Sequence, residues 1–262
     1  MKKFEGILIC TDLDDTLLTT DKRVSDENIA AVKYFTDNGG LFTFATGRVP
    51  RGFSLILKYI TPNAPIVSYN GGAIYDVDEQ KFLWYAELDR SAVEVMEYVD
   101  KFHPYAGIEC TTAKAVYFNK VNHLVEEHKV LEHFQANYSD YHDIAEPIMK
   151  TIFMVENHEI DEFKRAIQAT EFPKRYSFVQ SSPWYYELLP YGCSKGAGLK
   201  KVAAMTGALK TVGIGDNEND ISLVCDADVG VAVQNAAAEV KEKADYITRN
   251  DHNHHAVAEV IE

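Results

Sequence analysis

Strand-like and helix-like segments alternate at both ends of this chain but not in its middle, and that rhythm constrains the fold more than any other feature. Residues 6–10 (GILIC) form a short apolar run of the kind a parallel sheet buries on both faces. A helix is predicted over about 26–38, with Ser25 as its N-cap, Ile29, Val32 and Phe35 as its apolar stripe, and Gly39-Gly40 as its stop. Residues 41–45 (LFTFA) read as a second strand, 47 to about 60 as a helix, and 65–68 as a third strand before Asn70-Gly71-Gly72, a turn signal. Residues 73–75 and 82–85 have the pattern of a hairpin.

From about 87 the rhythm changes. A helix at 91–102 precedes strands at 107–111 and 115–119, and the same order recurs as helix 159–170 with strands 176–180 and 184–189. Helix 121–136 and strand 148–155 lie between, so the segment has a duplicated α-β-β order without a residue repeat. Alternation returns with helix 195–205, strand 211–214, helix 218–225, strand 229–233, helix 236–243 and strand 246–248. The expectation is an α/β chain: a doubly wound (Rossmann-like) parallel-sheet core from residues 1–86 and 190–262, with an α+β cap domain, 87–189, inserted into it.

Four polar clusters follow four strand signals: Thr11-Asp12-Leu13-Asp14-Asp15-Thr16, Thr46-Gly47-Arg48, Asn70-Gly71-Gly72, and Gly215-Asp216-Asn217-Glu218-Asn219-Asp220. Parallel strands bring all four to one sheet edge, where doubly wound folds place their sites. Turn chemistry explains any one of them as well, but not the set. Six carboxylates in two of these clusters repel one another unless a hard cation neutralises them, and magnesium favours such oxygen ligands and bridges substrate phosphates. An EF-hand is excluded because Ile221 stands where its loop needs glycine, and neither a P-loop nor a complete dinucleotide fingerprint occurs.

Asp-Leu-Asp-Asp-Thr-Leu-Leu (12–18) resembles the first motif of the haloacid dehalogenase-like (HAD) superfamily. Thr46-Gly47-Arg48 resembles the second motif, Lys195 in Ser-Lys-Gly-Ala-Gly-Leu the third, and Gly-Asp-Asn-Glu-Asn-Asp (215–220) the fourth. Ser68-Tyr69-Asn70-Gly71-Gly72 and the long insertion are similar to the Cof-type phosphatase branch. The resemblance implies a Mg2+-dependent phosphatase that acts through an aspartyl phosphate on Asp12, with Asp14 as acid and then base. It also implies metal ligation by Asp12, Asp216 and the backbone carbonyl of Asp14, with Asp220 or Asn219 supporting them. Thr46, Gly47, Lys195 and Asn219 are the implied phosphate-binding residues. The chain departs from the family at position 15, Asp where Gly is more usual, and at His254-His255, where a Gly usually precedes the last helix. Arg48 and Arg51 are either substrate contacts or solvated side chains.

Composition narrows the rest. A formal charge of −14 disfavours nucleic acid and anionic membranes. No apolar run reaches the roughly 18 residues of a membrane span. The first residues do not resemble a signal peptide, and the four scattered cysteines read as reduced thiols, so a cytoplasmic enzyme is expected. Its partner is expected to be a small phosphorylated metabolite, a sugar phosphate or a phosphorylated cofactor such as flavin mononucleotide or pyridoxal phosphate, met by a monomer or weak homo-oligomer. A sugar phosphomutase and a non-catalytic metabolite-binding regulator are the alternatives. The cap is expected to act as a lid in which side chains such as Tyr186 or Glu187 meet the leaving group.

Overall fold

The run after Gly6 forms strand β1 (Ile7–Thr11), and four of its five residues are buried. Helix α1 (Asp26–Asp37) follows, its first turn closed by Ser25, whose side chain accepts the Asn28 N–H at 3.3 Å. Next come β2 (Leu41–Phe44), α2 (Pro50–Phe53), β3 (Ile66–Ser68) and the hairpin of β4 (Ala73–Asp76) and β5 (Lys81–Tyr85). The middle of the chain supplies α3 (Val93–Phe102), β6 (Gly107–Thr112), β7 (Val116–Lys120), α4 (His123–Leu131), β8 (Ile148–Met154), α5 (Ile160–Gln168), β9 (Tyr176–Ser182) and β10 (Tyr185–Pro190). The last third forms α6 (Lys195–Thr206), β11 (Lys210–Gly215), α7 (Ile221–Asp226), β12 (Val229–Ala232), α8 (Ala238–Lys241), β13 (Tyr246–Ile247) and α9 (Ala256–Ile261). This computed structural model describes residues 2–262, which divide into two units: residues 2–85 with 194–262, and residues 86–193.

The first unit is built on a parallel sheet in the order β13-β12-β11-β1-β2, and a parallel bridge from Ala45 to Val67 carries it on towards β3. The chain moves outward from β1 through β2 on one side and from β11 through β12 and β13 on the other. The order therefore reverses between β1 and β11, which is the switch point at which such sheets bind ligands. Thr11 pairs with Ile214 in the register of these two strands, so the residues that follow them, Asp12 and Gly215-Asp216, emerge side by side.

Three predicted helices are clearly shorter in the structure, and the one expected over 236–243 is helical only at Ala238–Lys241. The one expected over 47–60 is helical only at Pro50–Phe53 and continues as turns. Arg48 Nη1 donates to the Gly52 carbonyl at 2.9 Å, while the Ile56 N–H that would cap that carbonyl in an α-helix bonds Phe53 instead. The helix expected over 121–136 ends at Leu131, and two residues later His133 has a left-handed φ of 53°.

The second unit is a five-stranded antiparallel sheet in the order β7-β6-β8-β10-β9. The duplicated α-β-β order is visible here: β6 and β7 flank β8 on one side, β9 and β10 on the other. Side chains alternate between the faces of a strand. Tyr186 lies in the main core of this unit with Phe153 and Phe163, stacks on Phe178, and its hydroxyl accepts from Gln168 Nε2 at 2.6 Å. That corrects the expectation for Tyr186: its ring is core packing, not a group aimed at a leaving group. Glu187, on the other face, is tied to Lys150 at 3.0 Å and to Ser181 at 2.5 Å, with both members of the ion pair buried.

These contacts set different stability costs. Tyr186→Phe, which deletes the Gln168 acceptor, should lower stability by about 1 kcal/mol. Glu187→Ala, which removes the buried carboxylate paired with Lys150, should cost about 3 kcal/mol. Urea denaturation checks the order; a larger loss for Tyr186→Phe contradicts it.

Candidate active site

The site grows from the end of β1. The Asp12 N–H donates to the Ile214 carbonyl at 2.8 Å, which fastens the first residue beyond β1 to β11. From the other direction Ser194 caps α6, its side chain accepting the Ala197 N–H at 3.1 Å, and so places Lys195 in the first helical turn. Gly71, with a left-handed φ of 92°, passes so close that a Cβ there would lie 1.9 Å from the Ser194 carbonyl oxygen. Only glycine allows both that conformation and that approach.

Lys195 is buried, and its ammonium donates to Asp12 Oδ1 at 2.6 Å and to Asp220 Oδ1 at 2.5 Å. The other oxygen of Asp220 accepts the N–H groups of Asp216 and Asn217 at 3.0 and 3.1 Å, so this carboxylate shapes the loop after β11 as well as binding Lys195. Gly215 makes room for it, because a Cβ there would meet the Asp220 Cβ at 2.3 Å. Asp216 Oδ1 accepts from the Thr16 hydroxyl at 2.8 Å, a contact the sequence reading missed although Thr16 lies within the first motif.

One carboxylate oxygen from each of Asp12, Asp216 and Asp220 lies within 4.8 Å of the others. Lys195 supplies one positive charge against the three. Burial and the neighbouring Asp220 push the Asp12 carboxyl well above the usual range, despite Lys195, and the same two causes push Asp216 up to about 7. Burial opposes the charge of Lys195, but Asp12 and Asp220 outweigh it and raise the ammonium's pKa. Excess negative charge on acceptor-only oxygens is the donor set of a hard divalent cation, so the residues fit such an ion.

The remaining expected residues are placed as follows. Asp14 is held by Arg48, whose Nε and Nη2 lie 2.8 and 2.9 Å from its two oxygens, and by Lys22 at 3.0 Å. Burial pushes the Asp14 carboxyl up, but the hydrogen bonds and charge of Arg48, with Lys22 adding, hold it well below the usual carboxylate range. Thr46 is buried and its hydroxyl accepts the Arg48 N–H at 3.1 Å. Gly47 follows it beside Asn70, and Asn219 donates to Asn70 Oδ1 at 3.1 Å. The C-terminal histidines form no metal cluster among the described residues: His254 pairs with Asp251, His255 with Glu27, and His252 with Thr20.

A family model described as haloacid dehalogenase-like hydrolase matches residues 9–261. The chain belongs to that family. Among curated relatives, this hydrolase is 25% identical over 251 residues to the 5-amino-6-(5-phospho-D-ribitylamino)uracil phosphatase YitU of Bacillus subtilis, covering 92% of this chain and 91% of the relative. It is 26% identical over 271 residues to YwtE of the same organism, a phosphatase of the same description, covering 94% of each. A haloacid dehalogenase-like hydrolase from Bacteroides thetaiotaomicron superposes with a TM-score of 0.81 at 25% identity, over 99% of this chain and 98% of that one. The family, the Cof-type relatives with their inserted cap, and the carboxylate cluster make the protein a phosphoric monoester hydrolase.

The raised pKa of Asp216 has a consequence for metal binding. A cation needs the carboxylates ionised, so at pH 6 it must displace protons that the cluster holds without it. A divalent cation such as magnesium should therefore bind more tightly as pH rises from 6 through about 7, with proton release at pH 6. Titration calorimetry in buffers of different ionisation enthalpy reads both; an affinity flat from pH 6 to 8 contradicts it.

Proposed function

We propose that this enzyme hydrolyses phosphate monoesters of small metabolites with Mg2+, through a covalent phosphate on Asp12. The observation that carries the reading is the cluster of Asp12, Lys195, Asp216 and Asp220 at the sheet's switch point. An Asp12 oxygen attacks phosphorus, and the bond from phosphorus to the leaving oxygen breaks as that oxygen takes a proton from Asp14, which must first leave the Arg48 and Lys22 contacts that favour its carboxylate and take up a proton. Water then attacks phosphorus and loses a proton to Asp14, the bond to Asp12 breaks, and both carboxyl groups regain their starting states. Lys195, Thr46, Asn219 and the Gly47 backbone hold the phosphoryl oxygens while charge redistributes. A magnesium ion bound by Asp12, Asp216 and the Asp14 carbonyl, with Asp220 in support, would neutralise the phosphate and align it with the nucleophile.

The substrate class in this reading is a phosphorylated sugar, polyol or cofactor. The two B. subtilis relatives, named for a phosphoribityl compound, support a polyol phosphate among these. A panel of such esters scored by released phosphate ranks the candidates.

Asp12→Asn should fold with an unchanged far-ultraviolet circular dichroism spectrum and lose turnover by at least about 100-fold, because an amide is not an anionic nucleophile. Retention of a tenth of the wild-type rate, with deamidation excluded by mass spectrometry, would remove Asp12 from that role. Exhaustive chelation should abolish phosphate release and magnesium restore it, with calcium a poor substitute because its looser shell positions ligands less well. Undiminished turnover in chelator contradicts the metal's role.

A further inference from the structure

Asn70 belongs to the third polar cluster, and the proposed reaction leaves it without a task. It is 1% exposed, and its backbone N–H donates to the Thr46 carbonyl at 3.0 Å. Its φ of 51° is left-handed, a conformation asparagine adopts more readily than most side chains. Its side-chain oxygen accepts from Asn219 Nδ2 at 3.1 Å. An amide nitrogen only donates, so Asn219 holds the oxygen end of Asn70 and the nitrogen end is turned away. That nitrogen is buried and has no hydrogen-bond partner among the described residues. A buried donor left unpaired is costly, so this one calls for an acceptor from outside the chain. It lies against Gly47, where a Cβ would come within 2.9 Å of Asn70 Nδ2. Gly47 is not among the glycines with a left-handed φ, so what its missing side chain provides is this close approach.

We infer that Asn70 is a further phosphate-binding residue, whose free amide N–H donates to a phosphoryl oxygen held between Gly47 and Asn219. The inference rests on the proposed phosphatase reading, in which those two neighbours also hold phosphoryl oxygens. A phosphoryl oxygen is a charged acceptor, and hydrogen bonds to charged groups are stronger than those between neutral ones. A carboxamide donates without adding a charge that would compete with Lys195 or a cation for the carboxylates. The bond from Asn219 fixes one end of the Asn70 amide and so aims the other. Ester and inorganic phosphate present the same oxygens, so both lose affinity when this donor is removed.

The test reads the binding of inorganic phosphate by titration calorimetry with magnesium present, in Asn70→Gly, Asn219→Ala and the double variant. Glycine removes the amide and accepts the left-handed backbone. Asn70→Gly should weaken phosphate binding by about 10-fold and raise KM for glycerol 2-phosphate in step. In the Asn219→Ala background the same change should still cost at least about threefold, because the donor is Asn70's own. No further loss there means that Asn70 only holds Asn219, and it overturns the contact. So does an unchanged phosphate affinity in Asn70→Gly, or a parallel loss of magnesium affinity, which marks damage to the carboxylate cluster. If the glycine variant fails to fold, a crystal structure of the wild type with phosphate decides: an oxygen within about 3.2 Å of Asn70 Nδ2 supports the contact, and a phosphate bound without it overturns it. If the wild type neither binds phosphate nor hydrolyses esters, the phosphatase reading itself falls, and the inference with it.

Discussion

A buried ammonium between two carboxylates fixes the architecture of the catalytic unit. Removing Lys195 and its partners from water costs several kcal/mol per ion, which close opposite charges must offset. Asp12 and Asp220 do so at 2.6 and 2.5 Å, and they come from the ends of different elements, one beyond β1 and one beyond β11. Asp220 also holds two backbone N–H groups of its own loop. One side chain on α6 therefore joins two strand ends and a loop, and the excess of carboxylate around it creates the demand for a cation. Structure and chemistry share the same charges.

Sheet topology decides that these charges meet. β1 and β11 are distant in sequence but adjacent and parallel, and their register sets Thr11 against Ile214. A slip of one residue would turn every side chain of β1 to the other face of the sheet and carry Asp12 away from Asp216. The glycines at 71 and 215 serve the same end: both stand where a Cβ would collide with the cluster's own supports, the Ser194 carbonyl and the Asp220 side chain.

The two departures from the family pattern have a common backbone explanation. Asp15 and His255 both adopt left-handed conformations, with φ of 57° and 65°, which are glycine's habitual territory. The chain keeps the backbone that glycine favours and accepts a strain of about 1–2 kcal/mol at each position. Local contacts offset part of it: the Asn235 amide donates to the Asp15 carbonyl at 2.7 Å, and His255 lies 3.3 Å from Glu27. The sequence shows these positions only as missing glycines.

Residue type and period by themselves determined the fold class, the order of elements in both units, the Ser25 cap, and the four polar clusters at one sheet edge. These are local properties, set by the 2- and 3.6-residue repeats and by turn chemistry. The partners inside the site were decided only by tertiary structure. Arg48 lies 34 residues from the Asp14 it clamps, Asn219 lies 149 from Asn70, and Thr16 lies 200 from Asp216. The length of α2 depends on the same arrangement, since the carbonyl that would have continued the helix is taken by Arg48. Tyr186 and Glu187 carry equal promise in the sequence, yet strand pleating sends one into a core and the other into a buried ion pair. Which groups meet across such separations depends on strand register and on which face packs inward, and a linear pattern does not encode the distance between two side chains.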